Sequence, residues 1–364
     1  MAYGVGLVGF GWFVDRFGTK IGYAVSIIAW SLAAAAHGLA GNFTTFIGAR
    51  AALGLGEAGN FPSAIKAVAL WFPRQERALA TSLFNAGTNA GALIAPAIVP
   101  WMAFRWGWQS AFVAAGALGL IWLGFWLWLY QTPDERHPLM AQEEAQDKVP
   151  WAKLLGYRQT WSFMVAKFLT DPVWWFFLIW LPDFFRQTRG LEIKRSWVHL
   201  VTIYGIITVL SIGGGWVTGF LTRKGWTVTR ARKTGMFCFA LCVLPILAVT
   251  RVGDWTAVML IGLAGAAHQA WSANLYTTVS DMFPKAAVAS VIGLGGMAGS
   301  AGSFIFPVLT GKLLDHFGRL HNVTAGYRIL FGVCSVMYLV AFLLNHLCAP
   351  RFEPLPQTRA DSRC

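Results

Sequence analysis

Runs of about 20 predominantly apolar residues recur along the chain between short polar turns, and each is long enough to carry a helix across the bilayer's hydrocarbon core. They are centred near Ile28, Leu55, Ala92, Leu120, Leu178, Val209, Leu241, Gly262, Gly299 and Val336. The pattern predicts about ten full transmembrane helices. Ahead of them, Met1 to Val14 supplies 14 residues, roughly 21 Å of helix against a core of about 30 Å. This stub predicts a partial eleventh segment, with the start of its helix missing. It has no basic n-region, so a cleavable signal peptide is not predicted. Residues 131 to 158 form the one long polar segment. The expected layout is a bundle over residues 1–130, a linker over 131–158, a second bundle over 159–349 and a tail over 350–364.

Composition turns this pattern into a class. With 56% hydrophobic residues, 12% charged residues, 19 Trp and a mean hydropathy of +0.53, the chain is predicted to be an all-α polytopic membrane protein rather than a soluble domain. Its net charge of +13 would suit nucleic acid if it lay on one soluble face, but it lies in the connecting loops. Starting with the loop at Arg16 and Lys20, alternate loops hold Arg74 and Arg77; Arg136, Lys148, Lys153 and Arg158; Arg223, Lys224, Arg230, Arg232 and Lys233; Lys285; and Arg351, Arg359 and Arg363. By the positive-inside rule these loops and the C-terminus are cytoplasmic, and no nucleic-acid partner is expected. Four cysteines fall in apolar helices and Cys364 is terminal, so no disulfide framework or metal spacing is predicted.

An offset of 211 residues aligns the two sides of the linker: Phe72-Pro73-Arg74 with Phe283-Pro284-Lys285, Ala90-Gly91 with Ala301-Gly302, and Pro96 with Pro307. A fainter echo links the Gly11 turn to GFLTRKG at Gly219 to Gly225. Internal repeats of this size are the mark of transporters whose two bundles rock around a site at the bilayer midplane.

Ionisable groups inside the spans are costly, so they must face water, one another or a ligand. Arg50 and Glu57 are seven positions apart, two turns, and share a helix side. The functional reading gives Arg50 an anionic substrate and Glu57 the coupling proton; the competing reading is an ion pair that only orders the bundle. The offset pairs Glu57 with His268, either a substrate donor or a hydrogen-bonded core histidine. Lys66, nine residues beyond Glu57, is expected to snorkel to the interface. Lys167 and Asp171 are spaced to pair, and Pro172 is expected to interrupt their helix beside a cavity, so that Asp171 lines the pathway or serves a structural pair. Trp175 and its neighbours offer aromatic faces for a sugar, with packing the alternative. Asn85, Asn89, His268, Gln269 and Asn274 can bond several hydroxyls, or simply bind helices together. The glycine run at 293 to 302 lies in an apolar span without a preceding strand, so it reads as helix packing rather than a nucleotide loop. No nucleophile-base arrangement is present, and neither an enzyme nor a cofactor is predicted.

The turn GWFVDRFGTK, residues 11 to 20, resembles the loop signature of the major facilitator superfamily, G-x-x-x-D-R-x-G-x-[RK]. The resemblance implies that Gly11, Asp15, Arg16 and Gly18 latch the two halves in one gating state, and that the fold is two six-helix bundles with the first bundle truncated. GEAGNFPSAIKAVALWFP at 56 to 73, FNAGTNAGALIAP at 84 to 96, KFLTDPVWWFFLIWLP at 167 to 182 and HQAWSANLYTTVSDMFP at 268 to 284 resemble the anion:cation symporter branch, and within it bacterial hexuronate transporters. That likeness implies proton-coupled uptake of galacturonate or glucuronate by a monomer in the bacterial inner membrane, with Arg50 and Glu57 matching the branch's fourth-helix Arg and Glu. Carriage of a hexonate, dicarboxylate, aromatic acid or sugar phosphate is the alternative, and a non-transporting membrane sensor a further one. The chain departs from the branch in lacking its first helix, and in holding Leu70 where an acidic residue is expected.

Overall fold

The protein, analysed as a computed structural model, is described over residues 1–133, 150–190 and 193–355, apart from a few side chains within that range, Asn89 among them. Among the described residues there are twelve α-helices and no strand. In chain order they are α1 (Ala2–Phe17), α2 (Thr19–His37), α3 (Phe43–Glu57), α4 (Asn60–Trp71), α5 (Arg77–Trp106), α6 (Trp108–Leu129), α7 (Arg158–Arg189), α8 (Ile193–Arg223), α9 (Val228–Val243), α10 (Asp254–Met282), α11 (Val288–Arg319) and α12 (Val323–Cys348). Short 3-10 segments, Trp151–Gly156 and Leu244–Arg251, precede α7 and follow α9. Most of the expected linker, 134 to 149, and the tail beyond 355 lie outside the described residues.

Among the described residues, seven helices are long and apolar enough to cross a membrane: α2, α6, α7, most of α8, α9 with its 3-10 extension, α11 and α12. The expected eleven segments are therefore not all evident by that measure. α1 has only 16 residues, α3 and α4 are split at Ala58–Gly59, and α5 and α10 interleave polar with apolar residues. The split has a local cause. The Ser26 hydroxyl of α2 donates to the Gly56 carbonyl at 2.6 Å, adding a side-chain donor beside the ladder, and a side-chain carbon at Gly59 would meet Ser26 at 2.6 Å. Taken as one unit, Phe43–Trp71 maps by the 211 offset onto α10, Asp254–Met282, and the start of α5 maps onto the start of α11.

The helices' outer surfaces are apolar. In α6 only Gly116 is buried, while Leu118, Ile121, Phe125, Trp128 and Leu129 are exposed, a patch that lipid covers at no cost and water would not. α7 runs unbroken through Pro172 and Pro182, contrary to the expected interruption. Pro172 cannot donate to the Phe168 carbonyl four residues back, and that carbonyl instead abuts Gly302 of α11.

The polar turns at 18, 72–76, 224–227 and 283–287, the segment before α7 and the start of the tail gather at one end, tied by Arg158 to the Leu347 carbonyl, Phe352 N–H to Thr229 and Leu355 N–H to the Met282 carbonyl. This basic end collects the described members of the first set of basic loops. Gly18 makes its turn at φ +88, a backbone region that a β-carbon disfavours. α1 then lies antiparallel against α11 along a strip of small residues. A side-chain carbon at Gly11 would come within 2.6 Å of the Ala289 carbonyl oxygen, and one at Gly293 would overlap the Leu7 carbonyl oxygen. Gly11→Val is expected to force the two helices apart at the basic end. Faster labelling of a cysteine introduced at the buried Ser280, in a background cleared of native cysteines, measures that opening.

Candidate functional site

The two halves of the chain meet at the basic end through buried charge. Asp15, at the last turn of α1, accepts from the Ser290 N–H at 2.7 Å and the Ala289 N–H at 3.2 Å, the free donors at the start of α11. A carboxylate is favoured there by the positive end of the helix dipole. Lys66 reaches the same carboxylate at 2.8 Å and the Val14 carbonyl at 3.2 Å, and is buried. It does not snorkel to the interface as expected, because a full ion pair in the protein outweighs a partly hydrated head group.

A second cluster lies across the same end. Arg77 of α5 donates to the Ser280 carbonyl at 2.7 Å and sits 3.7 Å from the Asp281 carboxylate. Arg232 of α9 lies 3.3 Å from the other Asp281 oxygen, and also donates to the Arg74 carbonyl at 2.9 Å and to Asn274 at 3.3 Å. Gly11 and Asp15 thus stand at the contact between the halves and Gly18 at the turn beside it. Arg16 is exposed.

Farther from that end, α7, α10 and α1 bring together a group of ionisable side chains. Lys167 is 2.7 Å from Asp171 and donates to the Tyr276 hydroxyl at 2.9 Å, with its ammonium 4.4 Å from that ring's centre. Tyr3 of α1 is within electrostatic reach of Glu57 in the first half and of Asp171 and Tyr276 in the second. Glu57 in turn feels the charge of Arg50. Both Arg50 and Glu57 are exposed, on a helix whose only buried residue is Gly56. The shared side expected for the pair is consistent with this coupling.

The remaining expected residues divide. His268 is buried, its Nδ1 2.5 Å from the Tyr338 hydroxyl and its ring stacked on Trp174 at 5.3 Å. These contacts match the core-histidine alternative. Asn274 is fully buried toward the basic end and occupied by Arg232 and the Ala270 carbonyl, away from the His268 face. Gln269 is buried. Asn85 is buried, with its side-chain oxygen unpartnered among the described residues, so it retains acceptor capacity. Asn89's side chain lies outside the described residues. Trp175 is 46% exposed, and Trp174 is the tryptophan that turns toward His268. Tyr3, Tyr276 and Tyr338 were not foreseen, although Tyr276 stands two turns from His268 on the same helix side. An open cavity of about 520 Å³ lined by Trp180, Asp315 and Arg319 opens at the end opposite the basic loops, apart from this group. No metal-holding cluster occurs among the described residues.

The family model described as the Major Facilitator Superfamily matches residues 1–278 and 225–362. The chain belongs to the major facilitator superfamily. It is 33% identical over 354 residues to the hexuronate transporter of Escherichia coli K12, covering 92% of this chain and 79% of that protein. It is 36% identical over 199 residues to the galacturonate transporter of Dickeya chrysanthemi, covering 51% and 58% respectively. Among solved structures, the fucose:proton symporter FucP of E. coli superimposes with a TM-score of 0.69 at 13% identity, over 96% of this chain and 88% of that one. That likeness carries the fold, and the superfamily's helical architecture is the one described above.

Proposed function

We propose that the protein is a secondary transporter that couples entry of a sugar acid, a hexuronate such as galacturonate or glucuronate, to a proton by alternating access. The observation that carries the reading is the junction of Glu57, Tyr3, Asp171 and Tyr276, which joins ionisable groups of both halves away from the sealed basic end. The similarity to a hexuronate transporter along 92% of the chain supports the substrate class. In this reading Arg50 attracts the carboxylate and Glu57 carries the proton. Asn85, Asn89, Gln269 and the Trp174–Trp175 pair supply polar and aromatic surface for the sugar. Asp15 and its α11 partners latch the basic end while the opposite end is open. The basic end faces the cytoplasm, with the C-terminus, in a bacterial inner membrane, and the transporter works as a monomer.

Uptake of labelled galacturonate into proteoliposomes with an acid exterior tests the proposal. Accumulation is expected to rise with the inward proton gradient and to collapse with an uncoupler. Accumulation that ignores the gradient removes the coupling. A competition panel of hexuronates, hexonates, dicarboxylates and sugar phosphates ranks the substrate classes, and preference for any class but the first removes the hexuronate assignment.

A further inference from the structure

Lys167 presents a problem of charge. Its side chain is only 5% exposed, on a helix in the membrane, and its partner Asp171 comes from the next turn of the same helix. An ion pair within one helix adds little to holding helices together, so helix assembly is a poor explanation for burying two charges. The geometry is asymmetric in a useful way. Asp171 is 19% exposed against 5% for Lys167, so the carboxylate caps the ammonium from the more open side. Tyr276 holds the ammonium from α10, and Tyr3 approaches Asp171 and Tyr276 from the first half.

The seat of the Asp171 carboxylate is a glycine. A side-chain carbon at Gly299 of α11 would overlap Asp171 Oδ2 and lie 3.0 Å from its Cγ. The carboxylate therefore rests on α11 only because no side chain stands there. A carboxylate parked on a buried lysine, in a space kept clear for it and with its own side chain still 19% exposed, occupies the position that an incoming organic anion would take.

We propose that Lys167 is a second receptor for the substrate carboxylate and that Asp171 is its built-in placeholder, which the anion must displace. The inference rests on the sugar-acid reading and adds to it a cation in the second half that complements Arg50 in the first. Without substrate, Asp171 neutralises Lys167 and spares the protein an unpaired buried charge. With substrate, the anion takes the ammonium and the Tyr276 hydroxyl, and Asp171 swings toward the open side. Binding is thereby paired with a rearrangement between α7 and α11, and α11 packs directly on α1 of the other half.

Calorimetric titration of the purified full chain with galacturonate, galactonate and galactarate tests this. Asp171→Asn, which frees the ammonium, is expected to bind the preferred acid at least about fivefold more tightly than the unmodified chain. Gly299→Ala is expected to act in the same direction, because it unseats the carboxylate while leaving both charges in place. It therefore separates placeholder release from a simple loss of negative charge. Lys167→Gln is expected to weaken binding by about tenfold or more, with thermal unfolding confirming that each variant folds. Weaker or unchanged binding in both Asp171→Asn and Gly299→Ala overturns the placeholder while the sugar-acid reading stands. Failure of the unmodified chain to bind any of the three acids overturns that reading, and this inference with it.

Discussion

Replacing Asp281 with Ala is expected to destabilise the protein by about 3–5 kcal/mol, the cost of leaving buried charge without its counter-ion. Its side chain is fully buried, with Arg232 at 3.3 Å and Arg77 at 3.7 Å. Both guanidinium groups are themselves buried, so neither can recover hydration by a small movement. Arg232 keeps bonds to the Arg74 carbonyl, Thr218 and Asn274, but those are neutral acceptors and do not cancel its charge. The effect has a direction as well as a size. Arg77 reaches Asp281 from the first half, so loss of the carboxylate weakens the seal between halves along with the second half itself. Thermal unfolding in detergent reads the first effect, and thiol labelling at the basic end the second. A triple variant, Arg77→Met with Asp281→Leu and Arg232→Met, is expected to lose much less than Asp281→Ala, because it removes the charges together. A loss below about 1 kcal/mol for Asp281→Ala, in the range of an exposed pair, contradicts this account.

The counterpart of Asp281 by the 211 offset is Leu70, where an acidic residue was expected. The first half meets the same need from elsewhere: Asp15 serves Lys66 and the start of α11 at once. This division shows what a sequence can and cannot reveal. Seven of the expected spans were legible because lipid imposes an apolar run of fixed length on a crossing helix. The repeat was legible over the loop at 72–74, α5 and their counterparts at 283–285 and in α11, because spaced Pro and Gly positions anchor the alignment there. The break at Gly59 was hidden, since it lies where Ser26 of another helix packs against Gly59 and bonds the Gly56 carbonyl. The Lys167–Asp171 pair follows from i, i+4 spacing alone. Lys66 was misread for the opposite reason: its partner is 51 positions away, and periodicity on its own helix places the side chain without saying what meets it. Tyr3 and Tyr338 carried no local signal, because an aromatic on an apolar helix points to core, lipid or cavity only once its neighbours are known. Asn274 was open to better reading: six positions from His268 is about 240° around a helix, so the two cannot serve one face.

Replacing Glu57 with Gln is expected to abolish proton-driven accumulation while leaving substrate exchange across the membrane intact. Gln keeps the length and much of the hydrogen bonding of a protonated Glu, so the variant mimics the proton-loaded carrier. Such a carrier can bind an acid, close, open to the other side and trade one molecule for another. What it cannot do is release a proton and return empty with the charge balance that return requires. For one proton moved with each monovalent anion, net charge transfer is zero, and an inward gradient of one pH unit supports about tenfold accumulation, or 1.4 kcal/mol. The variant is expected to stop near equal concentrations on both sides. Arg50→Lys serves as the contrast: it keeps the positive charge beside Glu57 but loses the two-pronged geometry that matches a carboxylate, so affinity should fall in exchange and in driven uptake alike. Two separate assays on proteoliposomes, gradient-driven uptake and counterflow against internal substrate, distinguish these patterns. Full accumulation by Glu57→Gln would move the coupling proton to another group. Loss of counterflow together with uptake would make Glu57 a residue for binding or folding instead. The prediction has force because Glu57 lies beside Tyr3 of α1, the side chain of the first half that also comes near Asp171 and Tyr276 of the second.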